Sequence, residues 1–122
     1  MFASHYKLNR LTAIIDNNGL QIDGEINNVM SPYPIKDKFA AFGWNVIEMD
    51  GHDHEMIFNA LNVNNTKNDK PFAIIAKTVK GKGVSFMENK VEWHGSPPNR
   101  EQYETAMKEL NEIEQKIMEK NE

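Results

Sequence analysis

Short runs with strand character recur along the chain at Leu11 to Ile15, Trp44 to Met49 and Phe72 to Ala76, and the stretches between them carry helical spacing. Leu11 to Ile15 is apolar or β-compatible throughout. Trp44 to Met49 alternates and is β-branched at Val46 and Ile47, whereas Phe72 to Ala76 is apolar without interruption. An unbroken apolar strand belongs in a sheet buried on both faces. Strands separated by helices of this length imply βαβ units with right-handed crossovers, so the expected fold class is α/β, a parallel sheet with flanking helices. At 122 residues and 39% hydrophobic content, residues 1–122 suffice for one modest domain with one core.

The helical stretches follow from apolar spacing and terminal residues. Phe2 to Leu8 reads as a helical tail, with Phe2 and Tyr6 on one face. Ile35 to Phe42 places Ile35, Phe39 and Phe42 at helical spacing and stops at Gly43, a residue suited to a left-handed helix exit. Asp53 is positioned to cap a helix whose stripe is Met56, Ile57, Ala60 and Leu61, ending among Asn62, Asn64 and Asn65. Asn99 and Gln102 form a capping-box pair ahead of the stripe Tyr103, Met107, Leu110, Ile113 and Ile117, which predicts a structural final helix. Between Glu25 and Pro34 no period holds, and an irregular loop is expected.

Composition excludes several function classes. A formal net charge of −4 argues against a general nucleic-acid binder, which carries a basic excess or stripe. No apolar run approaches the roughly 18 residues of a membrane span, and the first residues lack a secretory pattern. With no cysteine there is neither a disulfide nor a thiolate metal site, which fits a reducing, cytoplasmic setting.

The chemistry-bearing stretches each admit two readings. Ile14 to Gly24 passes from an apolar strand into Asp16-Asn17-Asn18-Gly19, where side-chain and carbonyl oxygens suit a hard cation such as Mg²⁺ beside phosphate. The same residues also make an Asn-Gly turn. Lys77, Lys80 and Lys82 interleave with Gly81 and Gly83, which is either a phosphate cradle or a solvated strand end. It is neither a Walker loop nor a dinucleotide fingerprint. His52 and His54, among Asp50, Asp53 and Glu55, are better explained as a polar turn opening a helix than as a metal cluster. His94, between Trp93 and Gly95-Ser96-Pro97-Pro98, is the histidine best placed for chemistry, against the alternative of an exposed loop residue.

Four of these stretches, taken in order, resemble the transketolase family. Asp16-Asn17-Asn18-Gly19-Leu20-Gln21-Ile22-Asp23-Gly24 is similar to the second half of its thiamine diphosphate motif. Phe42-Gly43-Trp44, Asp50-Gly51-His52-Asp53, and Lys77 to Val84 followed by Trp93-His94-Gly95 match at family spacing. The resemblance is closest to split transketolases, in which the cofactor-phosphate domain is a separate chain. It implies thiamine diphosphate and Mg as cofactors, with Asn18 a side-chain metal ligand, Leu20 a ligand through its carbonyl, and Ile22 packed on the cofactor. Lys80 and His94 are implied to lie over the diphosphate and the active-site mouth, His94 as a catalytic residue assisting proton movements on the sugar. The implied reaction is transfer of a two-carbon ketol unit between sugar phosphates in the pentose phosphate pathway.

One departure accompanies the match. The family motif opens with Gly-Asp-Gly, whose Asp is a metal ligand, well ahead of the Asn, and here only seventeen residues precede Asn18, none forming that triplet. The chain is therefore expected to be the distal part of a diphosphate-binding domain, a partial thiamine diphosphate-binding fold. It should be inactive alone and need a complementary transketolase C-terminal section or subunit. Other readings are a non-catalytic scaffold or interaction fragment, and a related thiamine diphosphate synthase or dehydrogenase component. An uncovered sheet edge or face is expected to drive homo- or hetero-oligomerisation.

Overall fold

The computed structural model describes residues 1–63 and 69–120. Its centre is a three-stranded parallel sheet of β1 (Thr12–Asn17), β4 (Asn45–Asp50) and β5 (Phe72–Lys77), in the order β1-β5-β4. The last strand in sequence thus lies in the middle, which explains its composition: Phe72 to Ala76 is buried throughout because it has neighbours on both edges and cover on both faces. Register is flush. Thr12 and Asn45 both pair with Phe72, while Asn17 and Asp50 both pair with Lys77, so the three carboxyl ends finish at one level. That shared level brings the loops after the strands together.

One core lies on a single face of the sheet. Ala60 of α4 (His54–Val63) meets Phe72 and Ile74 of β5, with Ile47 and Met49 of β4 packed at the margin. Asp53 caps α4 as expected, accepting from Met56 N–H at 3.0 Å. Met56 and Leu61, expected in the stripe, are about half exposed, because only the Ala60 side of the helix meets the sheet. The expected end of this helix at Asn64 and Asn65 falls outside the described residues. Ile14 is the clearest correction to a buried first strand. It is level with Ile74 and shares its face, yet it is 62% exposed, since α4 covers β4 and β5 and stops short of β1.

Other boundaries moved for local reasons. The amino-terminal helix α1 spans only Phe2–His5, and Lys7 has a positive φ that ends it before Leu8. Phe2 and Tyr6 do share a face, with ring centroids 4.4 Å apart. The stretch expected to be irregular contains a short antiparallel ribbon, β2 (Leu20–Gln21) with β3 (Gly24–Glu25), and then α2 (Ile26–Val29). A second helix on the sheet, α3 (Ile35–Ala41), ends as expected at Gly43, whose φ is +81°.

The final helix, α5 (Arg100–Glu119), opens on the expected capping box: Asn99 accepts from Gln102 N–H, and the Gln102 side chain accepts from Asn99 N–H, both at 2.9 Å. Its apolar stripe is not a buried seam, for Tyr103 and Ile117 are each more than half exposed. The helix is held instead by Glu109, which accepts from the Ser85 hydroxyl and from Ser85 N–H at 2.6 Å each. Those bonds, the hydroxyl first, hold the Glu109 carboxyl below its ordinary range. Because folding lowers that pKa, the tether contributes stability above the range where an unfolded glutamate titrates and loses it as pH falls through the folded value. Ser85→Ala is expected to lower the thermal midpoint at neutral pH and to converge with the parent protein in acid. Paired melts check this, and a gap that persists unchanged in acid rules the tether out.

Candidate functional site

Asn18 is the first residue beyond β1, and its side chain builds the turn that follows. Asn18 Oδ1 accepts from Leu20 N–H at 2.9 Å, and Gly19 supplies the φ of +74° that the turn needs. The turn and the candidate ligand are one device: the bond orients the amide and uses one of the two lone pairs on Oδ1. The ribbon of β2 and β3 then projects Ile22, which is exposed at its tip.

From the neighbouring strand the chain passes through Thr78 and Val79 to Lys80. Gly81 and Gly83 adopt φ of +73° and +94°, folding residues 80–89 back so that Asn89 N–H reaches the Lys80 carbonyl at 3.0 Å. This packing corrects the phosphate-cradle reading of the whole run. Lys82 N–H donates to the Val79 carbonyl, Val84 N–H donates to the Gly81 carbonyl, and Gly83 N–H donates to the Glu88 carboxylate at 3.0 Å. Lys82 also pairs with Glu88 at 3.7 Å, so an internal carboxylate sits where an anion would have gone. Lys80 has no such internal anion among the described residues.

His94 ends a 3₁₀ turn, Val91–His94, rather than lying in an open loop. Trp93 anchors that turn, donating from Nε1 to the Phe86 carbonyl at 3.0 Å with its ring 5.2 Å from the Phe86 ring. Together these elements enclose a cavity of about 250 Å³ lined by Asn18, Leu20, Gln21, Ile22, Lys80, Val91 and His94. All five residues singled out in the sequence are among those seven. Gln21 and Val91 were not anticipated, and only the alternation of a two-residue ribbon strand could have pointed to Gln21.

As a metal site the donor set is partial. The Asn18 amide oxygen and the Leu20 carbonyl are hard, neutral oxygens of the kind Mg²⁺ accepts, but Mg²⁺ holds near-octahedral geometry and is usually bound through at least one carboxylate. Among the described residues no group of three or more His, Asp or Glu side chains is placed to hold a metal, and the His52 and His54 region follows the polar-turn reading. The residues therefore fit a share of a cation shell completed by diphosphate oxygens and by a ligand from elsewhere. The cationic Lys80 and the imidazole of His94 fit an anionic group on the same wall.

A larger crevice of about 590 Å³ runs along the carboxyl ends of the three main strands, past Asn17, Asp50, His52, Lys77 and Thr78. Thr78 bridges to β1, its hydroxyl donating to the Asp16 carboxylate, and Tyr33 OH donates to Asn17 Oδ1 at 2.7 Å. Among the described residues no helix is long and apolar enough to cross a membrane.

Comparison with known proteins agrees with this geometry. Residues 1–117 match the family described as transketolase, thiamine diphosphate binding domain. One of the two chains of an apulose-4-phosphate transketolase from Phocaeicola vulgatus, named as a subunit of that enzyme, is 44% identical over 121 residues, covering 99% of this chain and 43% of that protein. The 6-deoxy-6-sulfo-D-fructose transketolase subunit SqwG of a Clostridium species is 38% identical over 110 residues, covering 90% of this chain and 40% of that protein. The chain thus spans about two fifths of the length of these curated relatives. The crystal structure of transketolase from Campylobacter jejuni superposes with a TM-score of 0.83 at 33% identity, over 90% of this chain and 17% of that one. With the strand order, the Asn-Gly turn and the histidine-bearing loop in agreement from end to end, the chain belongs to the transketolase family, as part of its thiamine diphosphate-binding domain.

Proposed function

We propose that this chain supplies one wall of a thiamine diphosphate and Mg site in a transketolase that moves a two-carbon ketol unit between sugar phosphates. The observation that carries the reading is the convergence of Asn18, Leu20, Ile22, Lys80 and His94 on one cavity from three separate loops. Asn18 and the Leu20 carbonyl give neutral oxygens to the cation, Ile22 presents an apolar surface to the cofactor, and Lys80 offsets diphosphate charge. His94, held by the Trp93 anchor, holds and returns a proton at a sugar oxygen. Thiamine diphosphate, when bound, supplies the carbon nucleophile that protein side chains lack.

The donor set lacks a carboxylate, which supports the view that the site is completed outside these residues. On this reading the chain is a single domain, the distal part of a diphosphate-binding unit, that works with a complementary transketolase section and is inactive alone. The relatives named as transketolase subunits support a split assembly. Calorimetry of the chain assembled with its complementary sections tests this. Mg-dependent thiamine diphosphate binding is expected, and Asn18→Ala should weaken it by about 10- to 100-fold, the effect of losing one contact to a charged partner. An assembly that binds no thiamine diphosphate, or an Asn18→Ala variant that binds it as tightly as before, favours a non-catalytic scaffold.

A further inference from the structure

The turn after β4 is fastened to the segment leaving β5 at three points. Gly51 N–H donates to the Lys77 carbonyl at 2.8 Å. A Cβ at position 51 would lie 2.5 Å from Thr78 Cγ2, so only glycine allows this approach. Val79 N–H donates to His52 Nε2 at 2.7 Å, across 27 residues of sequence. From the opposite side, Thr78 N–H reaches the Asn17 carbonyl at 3.4 Å and the Thr78 hydroxyl holds Asp16. Residues 77–79 are thereby gripped from both flanking strands, and the next residue is Lys80.

We infer that His52 is a positioning residue for Lys80, acting through the Val79 N–H on the far side of the sheet end from Asn18. The inference rests on the reading of Lys80 as a diphosphate contact. Residues 80–89 are closed mainly by bonds among themselves, so their placement as a unit depends on how 77–79 are held. Asp16 and Asn17 fix that segment toward β1, and His52 is the side chain that fixes it toward β4. The contact requires a lone pair on Nε2, which places the proton of the neutral ring on Nδ1. An imidazolium has no such lone pair, so acid releases Val79. Charged groups around the ring are Glu48 and Asp50 of β4, Asp53 ahead of α4, and Lys77 and Lys82 from the β5 side.

Two variants and two readouts test the inference: hydrogen exchange at the Val79 amide of the chain, and Mg-dependent thiamine diphosphate affinity of the full assembly. His52→Ala is expected to speed Val79 exchange and weaken affinity about fivefold, the effect of one hydrogen bond. His52→Gln keeps an acceptor near the Nε2 position, so it should restore both while flattening the rise in Val79 exchange between about pH 8 and about pH 5. Unchanged Val79 exchange in His52→Ala, or a glutamine variant that behaves like alanine, overturns the inference. If Val79 exchange responds as expected but His52→Ala leaves affinity unaltered, the link to Lys80 is overturned. Failure of the unsubstituted assembly to bind thiamine diphosphate overturns the functional reading on which the inference rests, and Val79 exchange then still decides the His52 contact.

Discussion

Replacing Ile74 by alanine is expected to cost about 2–5 kcal/mol, enough to remove much of the stability of a domain for which about 5–15 kcal/mol is typical. Ile74 is fully buried at the centre of the middle strand, against Ala60 and Phe72, and the surrounding backbone ladders on both sides prevent collapse into the space left behind. Urea titration checks the expectation: the midpoint should fall with little change in slope, the signature of lost stability rather than altered compactness. Ile14→Ala provides the internal control. It removes a similar side chain at the same level of the sheet, yet Ile14 is mostly exposed, and a change within about 0.5 kcal/mol is expected. A cost at Ile14 approaching that at Ile74 means the open face of β1 is covered in solution, by another copy or another chain.

The second large effect is expected at Gly81. Its φ of +73° is unfavourable for any residue bearing a Cβ, by about 1–2 kcal/mol, and that Cβ would stand 2.6 Å from the Met87 carbonyl oxygen. Because the obstructing atoms are backbone, rotamer adjustment cannot relieve the overlap. Gly81→Ala should open the 80–89 loop, displace Lys80 and lower thiamine diphosphate affinity of the assembly at least about tenfold, the cost of one lost contact to a charged group. Gly19 has a similar φ of +74° with nothing near its Cβ position, so Gly19→Ala isolates the backbone strain from the clash. Equal losses at the two positions would show that the Met87 contact contributes nothing.

The candidate site was legible to an unequal degree. Asn18 and Gly19 stood out because turn chemistry is local, and the turn that competed with the ligand reading proved to be the means of aiming the same side chain. The lysine-glycine run misled for the opposite reason. Glu88, five residues beyond Gly83, satisfies Gly83 N–H and pairs with Lys82, a closure that no spacing rule announces. His52 was read only as part of a helix-opening turn, since its partner, the Val79 N–H, belongs to another strand's exit.

What the chain dictated by itself was whatever is decided within one element or one turn. Alternating strand and helix periods, the uninterrupted apolar run of the central strand, the Asp53 and Asn99 caps and the Gly43 stop all follow from backbone geometry and side-chain spacing over a few residues. Tertiary structure alone decided the order β1-β5-β4, the flush register, the exposure of Ile14 and of the α5 stripe, and the meeting of Asn18, Lys80 and His94. Those depend on which surfaces face each other across tens of residues, and the free energy that selects among such pairings is spread over many contacts, none of which leaves its mark on a single stretch of sequence.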